Sequence, residues 1–86
     1  MDPVTVLIYR AGDSEPFTEW LEDMKDKTVR AKVWARLARI RAGNFGDCRS
    51  VGSGVWELKI DFGPGYRVYY GQIEKNKVLL LLGGGD

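Results

Sequence analysis

Five side chains in the last third of the chain have the types that phosphate chemistry needs. Glu57, Lys59 and Asp61 alternate with Trp56, Leu58 and Ile60, so a strand here turns the three charged residues to one face. Arg67 and Tyr69 alternate with Tyr66, Val68 and Tyr70 in the next such segment. If the two segments pair, all five emerge together. Arg67 can then hold a phosphoryl oxygen with two donors, and Lys59 can neutralise charge developing in a transition state. Glu57, Asp61 or Tyr69 can move a proton, and Tyr69 can also stack on a base. Cleavage of RNA by attack of the neighbouring 2′-hydroxyl needs no bound metal. An exposed face of cross-strand ion pairs satisfies the same pattern, so the spacing alone does not choose between them.

Composition removes several other chemistries. The 86 residues contain no histidine and one cysteine, Cys48. An internal disulfide, a zinc site of the usual Cys/His kind and histidine acid–base catalysis are therefore excluded. No cofactor or metal is expected. Gly63-Pro64-Gly65 reads as a hairpin turn, and Gly83-Gly84-Gly85 precedes no helix, so neither is a phosphate-binding loop. Cys48 is expected to be an inert thiol, and Trp20, Trp34 and Trp56 to be core residues. The longest apolar run, Val78 to Leu82, is far short of the roughly 20 residues a membrane helix needs. No secretory signal is visible. A single cytoplasmic domain over residues 1–86, without a membrane partner, is the expectation.

The formal net charge of +1 conceals an asymmetry. Residues 1–26 carry seven acids against two bases, whereas residues 27–49 carry seven bases against one acid. Lys32, Arg36 and Arg39 recur at helical spacing and predict a solvent-side basic ridge; Arg41 and Arg49 extend the basic region. Such a ridge suits RNA or ribosome binding, and it also suits an ordinary solvated helix face beside an acidic neighbour.

The elements that must hold these residues follow from periodicity. Val4 to Tyr9 reads as a strand. Ser14 is placed to cap a helix over 15–26, with Pro16 in its first turn and Phe17, Trp20, Leu21 and Met24 on one face. A second helix over 28–42 carries the stripe Val29, Val33, Leu37 and Ile40, and Gly43-Asn44 can end it. The near absence of a linker predicts a tight helical hairpin. Strands follow at 49–52, 55–62, 66–73 and 77–82, with turns at Ser53-Gly54, Gly63-Pro64-Gly65 and Glu74-Lys75-Asn76. The last strand is apolar on both faces, which calls for an interior position or a cover. The fold class is α+β, a helical hairpin on one side of a mostly antiparallel sheet.

Several longer strings carry a resemblance. Gly43-Asn44-Phe45-Gly46-Asp47, Gly52 to Asp61, Gly63 to Tyr70 and Leu81 to Asp86 closely resemble the addiction-module killer proteins, HigB-like toxins of the RelE/ParE superfamily. Phe17 and Trp20-Leu21, then Ala35-Arg36-Leu37 with Arg39-Ile40, also suit that family. The resemblance implies a RelE-like fold with a curled sheet. It implies a bacterial toxin neutralised by a cognate antitoxin, often one with a helix-turn-helix domain. It also implies metal-independent cleavage of messenger RNA on the ribosome, with Arg67 and Lys59 at the scissile phosphate and Tyr69 facing the substrate. The family pattern continues past Gly-Gly-Asp into a lysine, a polar stretch and a helix, so a C-terminally short domain is expected. Non-catalytic relatives of the same fold, such as ParE-like gyrase inhibitors, remain the alternative. The leucine run of the final strand leads to the further expectation of an antitoxin segment or a second copy covering it.

Overall fold

The computed structural model describes residues 2–84. Its elements run β1 (Thr5–Ile8), α1 (Pro16–Glu22), α2 (Lys27–Arg41), β2 (Cys48–Gly52), β3 (Val55–Ile60), β4 (Tyr66–Glu74) and β5 (Lys77–Gly84). They form an α+β domain around one five-stranded sheet of order β1-β5-β4-β3-β2. The pairs β2–β3, β3–β4 and β4–β5 are antiparallel, and β1 joins β5 in parallel. Gly85 and Asp86, the end of the quoted glycine-rich string, lie outside the described residues.

Both helices cover the same sheet face. Phe17 and Leu21 of α1 and Val29, Val33, Leu37 and Ile40 of α2 share a buried cluster with Leu58, Ile60, Val68, Tyr70, Val78 and Leu80. The stripe expected on the second helix is therefore its core face, and all four of its members are fully buried. Asp26 caps α2, its carboxylate accepting from the N–H groups of Thr28 and Val29 at 2.9 and 3.3 Å. At the other end Gly43 adopts φ +91°. Its N–H donates to the Ile40 carbonyl while that of Asn44 donates to Arg39, both at 2.8 Å. This paired closure satisfies the last turn and needs the left-handed glycine.

The first helix is shorter than its apolar spacing suggests. It stops at Glu22, and the Met24 N–H closes a tighter turn onto the Leu21 carbonyl at 3.2 Å. That turn keeps Met24 against the core without helix, and frees Asp26 to become the next cap. Ser14 is not the cap either. Glu15 holds that position with no side-chain capping bond, and the Ser14 hydroxyl donates to Glu19 at 2.9 Å. Pro16 sets the helix start one residue later than a Ser14 cap requires. The connection to α2 is short, but α1 rests chiefly on β5 while α2 crosses β1 and β3. The sheet, more than a helix–helix seam, holds the pair.

One tight turn joins two of the functional strands. Ser53 and Gly54, at φ +54° and +76°, join β2 to β3 in a two-residue hairpin, the twist-matched kind that requires positive φ at both positions. β5 is an interior strand with both edges paired, as its apolar composition implied. A register shift between Tyr69 and Tyr70 sends Leu80 to the core and Leu82 to the opposite, open face. Beyond it Gly83 is buried beneath Trp20, where an added Cβ would fall inside the indole ring. Trp20 and Trp56 pack half-buried against the core. Trp34 does not, because Val33 and Leu37 take the inward positions of α2; it is 47% exposed.

Candidate functional site

The sheet face away from the helices is open, and its cross-strand register collects charged residues. Arg49 pairs with Glu57, Glu57 with Tyr69, and Tyr69 with Leu82 across β2, β3, β4 and β5. In the next row Lys59 pairs with Arg67, and Arg67 with Gly84. The Lys59 N–H donates to the Asp47 carbonyl at 3.1 Å, which draws the start of β2 alongside. Asp47, Arg49, Glu57, Lys59 and Arg67 thus line one depression of about 350 Å³.

Glu57 is the hinge of this arrangement. It is 7% exposed, whereas Arg49 and Arg67 reach over it from the flanking strands. Arg49 Nε donates to its Oε1 at 3.2 Å, and Arg67 Nε lies 3.4 Å from its Oε2. Both carboxylate oxygens are engaged, so Glu57 positions the two guanidinium groups. Arg67 meets it through Nε and keeps its two terminal nitrogens for a ligand. Lys59 is exposed and forms no ion pair among the described residues. The depression therefore holds three cations against one buried and one exposed carboxylate, a balance that attracts an anion.

Four of the five residues expected to act together are on one face; Asp61 is not. β3 ends at Ile60, and the Phe62 N–H bonds back to the Ile60 carbonyl at 3.1 Å. This tight turn breaks the alternation and carries Asp61 to the helix side, beside Lys32, Ala35, Arg36 and Arg39. Tyr69 shares the open face as the cross-strand partner of Glu57, but it does not line the depression. Asp47 does line it and was not singled out from the sequence. The Ser53-Gly54 hairpin alone would set Asp47 opposite Ile60; the register shift between Ser50 and Gly52 instead brings residues 47 and 48 opposite 59 and 58, and no pattern in the sequence marks that shift.

The basic ridge also divides. Arg36 is a tether, with Nη1 donating to the Lys59 carbonyl at 2.6 Å and Nη2 to the Phe45 carbonyl at 3.1 Å. It links α2 to β3 and to the loop before β2, so it is not a free solvent-side cation. The Lys32 ammonium sits 4.9 Å from the centre of the Phe62 ring, within cation–π range. Arg39 and Arg41 remain exposed on α2, whereas Arg49 belongs to the open sheet face. Cys48 is half-buried, and its thiol donates to the Phe45 carbonyl at 3.1 Å. Burial pushes its pKa up, as befits an unreactive thiol.

No helix among the described residues is long and apolar enough to cross a membrane. No protein-family model matches the chain, and no solved structure matches it. It is similar to a Haemophilus influenzae protein described as an uncharacterized protein. The two are 47% identical over 70 residues, which span 81% of this chain and 70% of that relative. Identity at that level over most of both chains shows shared descent, and the chain belongs to the family of this Haemophilus influenzae protein.

Proposed function

We propose that this chain is the toxin of a bacterial toxin–antitoxin system, a cytoplasmic, ribosome-dependent endoribonuclease of the RelE/ParE type. The observation that carries the reading is the cluster of Arg67, Lys59 and Arg49 about Glu57 on an open sheet face. The toxin strings supply the rest. In the proposed reaction the 2′-oxygen attacks the adjacent phosphorus and the 5′-oxygen leaves, taking a proton from water, to give a 2′,3′-cyclic phosphate. Arg67 and Lys59 bind the non-bridging oxygens as their negative charge grows. Glu57 keeps Arg67 aimed, and Asp47, the exposed carboxylate on the rim, takes the proton from the 2′-hydroxyl. Tyr69 stacks on a flanking base. A cognate antitoxin with a helix-turn-helix domain is the proposed natural inhibitor.

Arg67→Ala tests the chemistry in single-turnover cleavage of messenger RNA on programmed ribosomes. Loss of one transition-state contact corresponds to about 3 kcal/mol, roughly a hundredfold in rate. Cleavage at the parental rate by folded protein, or full recovery at saturating ribosomes, refutes the role. A second reading, protein-directed inhibition of the gyrase kind, is favoured by one observation: Glu57 already neutralises part of the Arg49 and Arg67 charge. Intact RNA together with inhibited supercoiling supports that reading instead.

A further inference from the structure

The outer face of α2 carries a second feature, remote from the sheet-face depression. α2 contains six cations, Lys27, Arg30, Lys32, Arg36, Arg39 and Arg41, and no acid. Trp34 stands on its solvent side, 47% exposed. Lys27, Arg30, Ala31 and Trp34 together line a shallow depression of about 330 Å³. At helical spacing the same-face neighbours of Trp34 are Arg30 and Ala31 before it and Ala38 after it. The two alanines leave the indole unobstructed, and Arg41 continues the stripe one turn further. None of Lys27, Arg30 and Arg41 is in an ion pair among the described residues. The nearest acid in sequence, Asp26, is committed to capping the helix.

We infer that this face binds single-stranded RNA, with one base stacked on Trp34 and the adjoining phosphates held by Lys27 and Arg30. An exposed aromatic ring among cations is the pairing that single-stranded nucleic acid recognition uses. A protein partner is a poorer fit. Among the described residues of α2, Trp34 is the one large apolar side chain that is exposed, whereas a stable protein interface needs about 800 Å² per partner around an apolar centre. A single base needs only one ring. The choice of RNA over DNA rests on the function proposed above; the stacking site itself does not. Because α2 covers the opposite side of the sheet from Arg67, the inferred strand contact is separate from the cleavage site.

The test is binding of a twelve-residue oligouridylate by the full chain, followed by fluorescence anisotropy over a salt series. Trp34→Ala should weaken binding roughly 5- to 100-fold, while Trp34→Phe should retain most of the affinity. The Lys27→Gln/Arg30→Gln variant should flatten the logarithmic salt dependence by about 1.4, two phosphate contacts at about 0.7 each. Circular dichroism establishes that each variant is folded. Parental affinity in folded Trp34→Ala overturns the inference. So does tighter binding of the matching oligodeoxyuridylate, or Trp34-dependent binding of polyglutamate at equal strength, which would assign the face to DNA or to an acidic protein. Unchanged binding in Trp34→Ala with lost cleavage in Arg67→Ala refutes the α2 site alone. The converse refutes only the cleavage reading.

Discussion

Replacing Gly83 with alanine isolates the contact that locks α1 onto the end of β5. An added Cβ would overlap Cδ2, Cε3 and Cζ3 of Trp20. Phe17, itself 1% exposed, packs against the same indole with centroids 6.0 Å apart. Overpacking of this kind costs about 1–3 kcal/mol. For a domain of this size, with a urea slope of about 1 kcal/mol/M, the unfolding midpoint should fall by about 1–3 M. The decisive measurement repeats the substitution in a Trp20→Leu background. There the clash is gone, and alanine in a strand is favoured over glycine by about 0.5–1 kcal/mol. Gly83→Ala should then be neutral or stabilising, a reversal of sign. Equal destabilisation in both backgrounds would refute the steric argument and assign the cost to the backbone.

Leu37→Ala should cost about 2–5 kcal/mol, because the side chain is fully buried between α2 and the sheet; urea denaturation measures it. Arg36→Ala should lower stability by about 1–2 kcal/mol through loss of its two charged hydrogen bonds to backbone carbonyls. A thermal melt unchanged from the parent would return Arg36 to the surface. The folded state raises the pKa of Cys48 above its ordinary 9.0 and that of Tyr70 above 10.0, both chiefly by burial. Above pH 9 the unfolded chain therefore loses protons that the native chain retains. Stability should be level with respect to these groups below pH 9 and fall progressively above it. Urea midpoints from pH 7 to 10.5 test this, with Cys48→Ala removing the earlier part of the decline.

Much of this architecture is written in short-range pattern. The inward stripe of α2 and the alternation of β3 and β4 each identify a buried face, because one period fits each segment. The errors fall where the chain changes period. Met24 keeps helical spacing through a turn that is not helix, and Asp61 continues an alternation that the strand no longer obeys. The site was legible in part for the same reason. Strand parity gathers Glu57, Lys59, Arg67 and Tyr69, but it carries no information on depth. That Glu57 is buried depends on Arg49 and Arg67 closing over it from two other strands. Arg36 shows the same limit on a helix, since its spacing fixes a direction but not the carbonyls it reaches.

The parallel pairing of β1 with β5 has a consequence for when the molecule comes into being. β1 precedes the other described elements in the chain, yet its strand partners are residues 77–80; packing on α2 and the bond from the Val4 N–H to the Arg41 carbonyl are available earlier. Until β5 has been synthesised, Val4 and Val6 have no sheet to close against, and Arg67 lacks its neighbour Gly84. Pairing of residues so distant in sequence also slows the search for the native state. The chain consequently stays unfinished at this edge of the sheet until β5 has been made. A protein that acts on ribosomes in the manner proposed would thus gain its complete sheet only once β5 is in place.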